Sequence, residues 1–364
     1  MANLFAMPSD TPIPSTQTAV VVKATGKEWK LDINHSYPVP RLEPGQALVR
    51  LSYTGVCHSD LSGINSGWNR QMTCDVPGHE GVGKILAYHA DTDLSKAPAL
   101  GTRVGIPLIR SPCGVCAVCE LVDGEVMCPH TGFHGMEHNG TYQEYIAVFA
   151  SYLVLLPDAP TIGDALFAPV LCGGVTAYKA LKKSGAGKGD WVAIAGAGGG
   201  LGSFAVQYAV AMGMRVIGID TGEAKQQVTL RLGAATFIDY RTVDDVSKAV
   251  YDATAGAGVK AAIILAPSEA TYNQALQYVG YQGCLVCVGL PHEDVRMAVP
   301  PGLVIHKDIA IRGSMVGTRK DIGEALEYVV REQVKPDVVV HQPEDIVKIY
   351  QRMEQNQVIG RAVL

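Results

Sequence analysis

Apolar positions divide the chain into two regions with different periodicity. Up to about residue 170, short apolar stretches of strand length are separated by turns such as Pro44-Gly45 and Pro77-Gly78. This punctuation is typical of an irregular, mostly β domain. The predicted strands are Ala19–Lys23, Ala47–Tyr53, Gly81–Tyr88, Tyr142–Val148 and Tyr152–Leu156.

After Cys172 the apolar stretches are longer, and predicted strands and helices alternate. This alternation is typical of βαβ units on a parallel sheet. The predicted strands are Trp191–Ala195, Met214–Ile219, Thr236–Ile238, Ala261–Leu265, Cys284–Val288 and Arg361–Leu364. The predicted helices are Cys172–Lys183, Leu201–Met212, Glu223–Leu232, Asp321–Glu332 and Glu344–Asn356.

Composition limits the possible partners. The chain has 364 residues, 48% hydrophobic and 18% charged, which predicts about two globular domains. A net charge of −5 is unfavourable for nucleic-acid binding. Since no apolar run reaches the roughly 18 residues needed to span a bilayer, we expect no membrane partner.

The cysteines and the N-terminal residues predict a cytoplasmic protein. Nine cysteines, several of them clustered at metal-ligand spacing, favour a reducing compartment over a disulfide framework. The stretch MANLFAMPSDTPIPSTQ has neither a cationic start nor a long apolar core, so we expect no secretory signal.

A glycine-rich turn follows the predicted strand Trp191–Ala195. Its residues are Gly196, Gly198, Gly199, Gly200, Leu201 and Gly202. Such a turn, leading into a helix, lets backbone N–H groups and the helix dipole meet a pyrophosphate. Counting Gly199 and Gly202 as the second and third glycines of G-x-G-x-x-G puts Ala197 in first place, so the motif is imperfect. The alternative is a strand–helix turn without a ligand.

An acidic residue strengthens the case for a dinucleotide. Asp220 ends the next predicted strand, 18 residues after Gly202. A carboxylate there accepts hydrogen bonds from the adenosine ribose and repels a 2′-phosphate, which favours NAD over NADP. Lys225 lies close by in the sequence, so NADP remains an alternative cofactor.

Cysteine and histidine residues divide into two candidate metal sites. Three dispersed residues, Cys57, His79 and Cys172, suit a catalytic zinc that keeps one position open. The second set is a tight cluster of four thiols that suits a closed structural zinc: Cys113, Cys116, Cys119 and Cys128. For this cluster, a disulfide or plain reduced thiols are the alternatives.

Other cysteines and histidines are weaker candidates. Cys284 and Cys287 lie on one predicted strand, where residues three apart face opposite sides, so we assign them to the core. His130, His134 and His138 recur every four residues, but nearby glycines predict a loop, with a metal or substrate role as the alternative.

These residues resemble the zinc-containing medium-chain alcohol dehydrogenases, and most closely the fungal, yeast-type enzymes. The matching segments are GVCHSDL (55–61), GHEGVGKI (78–85), the cysteine cluster, PVLCGGVTAYKAL (169–181), GAGGGLGSFAVQYAVAMGMRVIGID (196–220), VGLP (288–291), GSMVGTRK (313–320) and VIGRAVL (358–364). The resemblance implies a GroES-like β-rich catalytic domain, 1–172 and 313–364, with both zinc sites. It also implies a Rossmann NAD-binding domain, 173–312, in a homodimer or homotetramer.

The resemblance also implies residue roles. The catalytic zinc ligands would be Cys57, His79 and Cys172, with Glu80 as an acidic neighbour, Asp60 as a carboxylate behind the site, and Ser59 sharing a proton with the substrate alcohol. Cofactor contacts would come from His58, Lys225, Val288 and Arg361 besides the glycine turn and Asp220. Trp68 and Leu108 would line the substrate pocket.

Three positions depart from the family pattern. The fourth cluster cysteine comes after eight residues instead of seven, so the loop 120–127 must bulge or the structural site is altered. Ser62 replaces the histidine that passes the proton to solvent in yeast-type enzymes. Leu108 stands near the position of a second pocket tryptophan, which predicts a wider pocket.

The predicted function is an NAD-dependent zinc alcohol dehydrogenase acting on a primary or secondary alcohol, or on an aldehyde or ketone in reverse. In this reaction zinc lowers the pKa of the alcohol and the nicotinamide takes the hydride. Two alternatives are a specialised reductase of a bulkier aldehyde and a non-enzymatic nucleotide-binding member of the same fold.

Overall fold

The computed structural model describes residues 4–6, 12–67 and 72–364. Its strands are β1 (Leu4–Ala6), β2 (Thr16–Ala24), β3 (Lys30–Pro38), β4 (Gln46–Thr54), β5 (Gly81–His89), β6 (Arg103–Ile106), β7 (Tyr145–Phe149), β8 (Val154–Leu155), β9 (Trp191–Ala195), β10 (Arg215–Asp220), β11 (Thr236–Asp239), β12 (Val259–Ile264), β13 (Val279–Cys287), β14 (Ala310–Gly313), β15 (Val338–Val340) and β16 (Arg361–Val363). Its α-helices are α1 (His58–Ile64), α2 (Asp164–Phe167), α3 (Gly173–Ser184), α4 (Gly200–Ala211), α5 (Glu223–Arg231), α6 (Val246–Ala253), α7 (Glu269–Tyr278), α8 (Pro301–Lys307), α9 (Arg319–Val330) and α10 (Ile346–Glu354).

The N-terminal half is built on an antiparallel sheet. Its strands run in the order β7-β4-β5-β6-β8, with β1 also paired to β5, while β2 and β3 form a separate antiparallel ribbon. The sheet buries one apolar cluster that includes Val49, Ile85 and Val104. The segment with Cys57 follows the end of β4, and the segment with His79 precedes the start of β5.

The C-terminal half is built on a six-stranded parallel sheet. The order is β11-β10-β9-β12-β13-β14, so the chain changes direction across the sheet between β9 and β12. Successive residues of β9 face opposite sides: Val192 and Ile194 pack with Phe204 in one core cluster, and Ala193 joins Ile217 in the other. Helices therefore cover both faces, as in a doubly wound sheet, and a crevice opens where the strand order reverses.

The end of the chain returns to the N-terminal half. Strand β16 pairs in parallel with β15, and Val363 also forms an antiparallel bridge with Gly55. The Thr54 N–H donates to the Leu364 carbonyl at 3.0 Å. This return brings Arg361 to the segment that carries Cys57.

The predicted fold class is confirmed: a β-rich domain lies beside a Rossmann-type parallel sheet. Strand Trp191–Ala195 was predicted with its observed bounds. Several other predicted strands differ from the observed ones in extent, among them Cys284–Val288, whose strand β13 begins at Val279. The predicted strand Tyr142–Val148 begins only at Tyr145, because the Tyr142 N–H donates to the Pro77 carbonyl. In Tyr152–Leu156 only Val154–Leu155 is a strand, and Tyr152 ends a 3-10 turn that begins at Ala150.

Helix length also bears on the membrane prediction. In the described part of the chain no helix combines the length and apolar character needed to cross a bilayer. Helices α3, α4 and α9 have 12 residues each.

A buried ion network joins three segments beside the parallel sheet. Lys179 on α3 is 5% exposed, and its Nζ lies 2.6 Å from Asp123 and 2.8 Å from Asp321. Lys182 lies 2.8 Å from the other oxygen of Asp321, which also caps α9 through Thr318. Burial raises the pKa of Asp321, but hydrogen bonds from the two lysines outweigh it and hold that pKa well below its usual range.

We expect Asp321→Asn to lower the free energy of unfolding by about 2 kcal/mol, since it removes hydrogen bonds between charged groups. Because the folded-state pKa is depressed, the ionised carboxylate stabilises the fold fully above the unfolded-state pKa of about 4 and loses this effect below it. The deficit should therefore be the same at pH 5 and pH 7 in thermal unfolding of the zinc-loaded protein. The exposed pair Lys248–Asp252 provides the control. Asp252→Asn should change stability by less than about 0.5 kcal/mol, and an equal effect of both substitutions would contradict the prediction.

Candidate active site

Cys57 is held at the start of α1 by a carboxylate three residues later. The Cys57 N–H donates to Asp60 Oδ2 at 3.1 Å, which caps the helix at its N-terminus. Cys57 adopts an extended conformation there, with φ −115° and ψ 149°. Its thiol therefore lies at the N-terminus of α1, where Asp60 fixes the backbone.

His79 shares the same carboxylate. Its Nδ1 lies 2.7 Å from Asp60 Oδ1, and both residues are 1% exposed. Burial lowers the pKa of His79, but the adjacent carboxylate outweighs it and raises the pKa well above its usual value. The opposite ring nitrogen, Nε2, is buried without a hydrogen-bond partner among the described residues. An imidazole bonded to a carboxylate through one nitrogen and bare at the other is typical of a metal ligand.

Cys172 completes the set from a distant segment. It precedes α3, and its sulfur, the sulfur of Cys57, the His79 ring and the Glu80 carboxylate offer ligand atoms within 4.8 Å of one another. A hydrogen bond between the two sulfurs lowers the pKa of Cys57 and raises that of Cys172. Two sulfurs and a bare imidazole nitrogen fit a zinc ion with a further position for a fourth ligand.

Glu80 lies behind this set and is paired with Arg361. Both side chains are buried, and the Arg361 Nη2 lies 2.6 and 2.5 Å from the two carboxylate oxygens. Burial raises the pKa of Glu80 to about 7, although the guanidinium opposes that shift. Arg361 also reaches the glycine turn, because a Cβ on Gly200 would lie 2.9 Å from its Cδ.

The four clustered cysteines form a second donor set. Four of their sulfur–sulfur distances are 3.9, 3.6, 4.0 and 3.7 Å. A zinc–sulfur bond of about 2.3 Å gives tetrahedron edges of about 3.8 Å, so this set fits a closed tetrathiolate site. The longer loop closes through a left-handed Asp123, φ 61°, followed by a 3-10 turn over Gly124–Met127.

The glycine turn joins β9 to α4 at the sheet crevice. Gly196 has φ +88°, and a Cβ on Gly202 would lie 2.1 Å from the Gly196 carbonyl oxygen. Gly196 therefore makes the tight turn, one position before the imperfect motif, and Gly202 allows the helix to pack against it. Gly199 is the N-cap of α4 and offers no side-chain cap. The first N–H groups of α4 are thus free to bind an anion, which fits the pyrophosphate of NAD.

Asp220 ends β10 beside this turn. Its Oδ2 accepts from the Gly198 N–H at 3.0 Å, and its Oδ1 accepts from Lys225 Nζ at 2.9 Å. The carboxylate is 6% exposed and borders the same cleft. It is positioned for an adenosine ribose, with the lysine beside it.

The donor set around Cys57 and the glycine turn open into one cleft of about 1800 Å³. The predicted site residues that line it are Cys57, His58, Ser59, His79, Leu108, Cys172, Gly196, Gly199, Gly200, Leu201, Gly202, Asp220, Lys225, Val288 and Arg361. Asp60, Glu80 and Gly198 lie behind its surface. Trp68 lies outside the described residues. A metal-type donor set and a dinucleotide-type turn therefore face the same space.

The weaker candidates take no part in a described metal-type donor set. Cys284 and Cys287 face opposite sides of β13, in different core clusters. His134 is buried in a loop and bonds the Pro107 carbonyl through Nδ1, and burial lowers its pKa to about 4. The Cys74 thiol donates to the Val76 carbonyl, and burial raises its pKa to about 12.

Sequence reasoning missed several buried polar groups around the site. Tyr142 donates to Asp60, Tyr350 donates to Tyr142, and Lys179 pairs with Asp123 in the cysteine loop. A lysine within the apolar face of a predicted helix was a usable signal for Lys179. No local pattern marked the tyrosines.

Two family models match the chain. Residues 43–158 match the alcohol dehydrogenase GroES-like domain, and residues 200–331 match the zinc-binding dehydrogenase family. The first match contains the cysteine cluster and His79, and the second contains most of the parallel sheet.

Similar proteins share most of their length with this chain. An alcohol dehydrogenase of Geobacillus stearothermophilus is 41% identical, covering 89% of this chain and 93% of that protein. An alcohol dehydrogenase of Schizosaccharomyces pombe is 37% identical, covering 97% and 98%. The structure of acetophenone reductase from Geotrichum candidum in complex with NAD superposes with a TM-score of 0.83 at 27% identity, covering 97% and 98%.

Metal analysis of the purified protein should give two zinc ions per chain. Cys116→Ser should remove one ion while leaving the cleft donors intact, and Cys57→Ser should remove the other. One zinc per chain in the unaltered protein would mean that the lengthened loop binds no metal. Full zinc content in Cys57→Ser would exclude this thiol as a ligand.

Proposed function

Because this chain belongs to the zinc-containing medium-chain alcohol dehydrogenases, we propose that it transfers hydride between a primary or secondary alcohol and NAD, and reduces an aldehyde or ketone in reverse. One observation carries the residue assignment. The bare Nε2 of His79 faces two thiols at the base of a cleft whose other wall is the glycine turn. The same premise supports a division into a catalytic part, 1–172 and 313–364, and a nucleotide-binding part, 173–312.

We assign the catalytic zinc to Cys57, His79 and Cys172, with Glu80 as their acidic neighbour. We assign the structural zinc to the four clustered cysteines. When bound, the catalytic zinc supplies a Lewis acid for the substrate oxygen, and NAD supplies the hydride acceptor. Asp60 keeps the His79 ring oriented through Nδ1. The chain's own contribution is then to bind, orient and deprotonate the alcohol.

Ser59 is the group we assign to the proton. It is the second residue of α1, half-buried, and borders the cleft beside Cys57. Its hydroxyl accepts the proton of the substrate alcohol and donates its own to water in the cleft. Ser62 lies one turn further along the same helix and also borders the cleft, but a serine hydroxyl cannot store the proton as a histidine would.

The cofactor side of the cleft supports NAD. Free N–H groups at the start of α4 suit the pyrophosphate, and Asp220 suits the ribose hydroxyls. His58 is exposed at the start of α1 and borders the cleft, so we assign it to the phosphates, together with Arg361. Lys225 and Val288 border the cleft as further cofactor contacts.

The substrate side of the cleft is apolar, which supports an alcohol or aldehyde larger than ethanol. Leu108 and Phe133 pack around Cys57 and Cys172, together with Val316. An aliphatic side chain at 108 leaves room that an indole would fill. This observation favours the bulkier-aldehyde reductase within the same activity.

Assembly and location follow from the family premise. We propose a homodimer or homotetramer in the cytoplasm. The nine cysteines, several of them at metal-ligand spacing, favour a reducing compartment over a disulfide framework. Sedimentation velocity and cell fractionation test these two points.

Ser59→Ala should lower kcat about 100-fold or more, because it removes the group that accepts the substrate proton. Ser59→Thr keeps a hydroxyl and should retain most of the activity. The measurement is NADH absorbance with a panel of aliphatic, aromatic and allylic alcohols. Wild-type activity in Ser59→Ala would move the proton route elsewhere. A wild-type protein that binds zinc and NAD tightly without turning over any alcohol would support the non-enzymatic alternative.

Leu108→Trp should raise the KM for an aromatic alcohol such as benzyl alcohol about 10-fold while leaving that for ethanol within about twofold, since a filled pocket excludes only the larger substrate. Leu94→Trp places the same side chain at a position that is 45% exposed and distant from the cleft lining, and it serves as control. Equal changes for both alcohols would contradict a substrate wall at this position.

A further inference from the structure

A hydrogen-bonded pair of tyrosines continues the site away from the cleft. Tyr142 Oη donates to Asp60 Oδ2 at 3.0 Å, and Tyr350 Oη donates to Tyr142 Oη at 3.3 Å. Tyr142 is 2% exposed and Tyr350 is fully buried. A chain of bonds thus runs from the imidazole of His79 through Asp60 to α10, which lies more than 260 residues later in sequence.

Asp60 has little accepting capacity left. Its Oδ1 bonds the His79 ring, and its Oδ2 accepts from both the Cys57 N–H and the Tyr142 hydroxyl. Among the described residues, Tyr142 and His79 are the two whose side chains form hydrogen bonds with this carboxylate. Without its hydroxyl, one buried oxygen would lose a donor and the carboxylate would be freer to rotate away from the ring.

The ring of Tyr142 is locked against the turn that carries His79. Gly78 has φ +95°, and a Cβ there would lie 2.4 Å from Tyr142 Cδ1. The aromatic ring therefore packs directly on the backbone before His79. The Tyr142 N–H also donates to the Pro77 carbonyl at 3.0 Å, so ring and backbone hold the same turn.

The phenol of Tyr142 is the donor in its hydrogen bond with Asp60. Burial, followed by the nearby Asp60 charge, raises the pKa of Tyr142 well above its usual value. The proton therefore stays on Oη and points at the carboxylate. Tyr350 is held in turn by an edge-to-face contact with Trp29, at 5.7 Å between ring centroids.

We propose that Tyr142 is a positioning residue for the catalytic metal: its hydroxyl and ring fix Asp60 and the His79 turn, and Tyr350 ties this arrangement to helix α10. The proposal rests on the zinc assignment made above. Groups that orient a metal-bound histidine change metal affinity 10- to 100-fold when removed. Tyr142 acts one bond further out, so its effect belongs at the low end of that range.

The test measures zinc release from the fully loaded protein into an excess of a chromophoric chelator, together with the loss of alcohol oxidation. The release phase that coincides with loss of activity reports the cleft zinc, and the other phase reports the cysteine cluster. Tyr142→Phe should accelerate the first phase about 10-fold and leave the second unchanged. Tyr350→Phe keeps the bond from Tyr142 to Asp60 and should accelerate it less.

Tyr208→Phe is the matched control. Tyr208 is fully buried, and its hydroxyl donates to the Ala325 carbonyl at 3.1 Å beside the parallel sheet. It should lower thermal stability as much as Tyr142→Phe does without changing the cleft-zinc phase. Wild-type release from Tyr142→Phe, or equal acceleration in Tyr208→Phe, would overturn the proposal. If no alcohol is oxidised, the phase that Cys116→Ser retains identifies the cleft zinc. Acceleration of that phase by Tyr142→Phe would then mean that the proposed activity fails and the positioning role stands.

Discussion

The architecture of the site depends on one carboxylate. Asp60 binds the backbone of Cys57 and the ring of His79 at the same time, so two ligand-bearing segments 22 residues apart are held in one arrangement. A buried carboxylate is costly unless donors surround it, and here each oxygen has them. The arrangement leaves His79 Nε2 bare, and that bare nitrogen defines the point where Cys172 arrives from the other half of the molecule.

Local signals in the sequence were sufficient for the nucleotide side. The glycine turn and Asp220 lie within one βαβ unit, and β9 was predicted with its observed bounds because five apolar residues precede a turn. The cysteine cluster could also be predicted, because its four thiols lie close together in the sequence. The positive φ of the turn lies at Gly196, one residue before the position that Ala197 takes in the motif.

Long-range contacts were the part that sequence could not supply. Tyr142 and Asp60 are 82 residues apart, and Lys179 and Asp321 are 142 apart, so no periodicity relates them. The trio Cys57, His79 and Cys172 was proposed from the types of its residues and then from the family resemblance, because no regular spacing relates them. Irregular segments were also difficult. Only Val154–Leu155 of the predicted strand Tyr152–Leu156 is a strand, because its extent depends on tertiary contacts more than on local propensity.

The ion pair between Glu80 and Arg361 closes a span of 281 residues. Loop-closure entropy opposes such a contact until the intervening sheets have formed, so it belongs among the late events of folding. Because Arg361 also touches Gly173 and Gly200, its arrival completes the space between both halves. The complete site therefore forms only when the whole polypeptide has reached its native state, and partly folded chains should be inactive toward substrate.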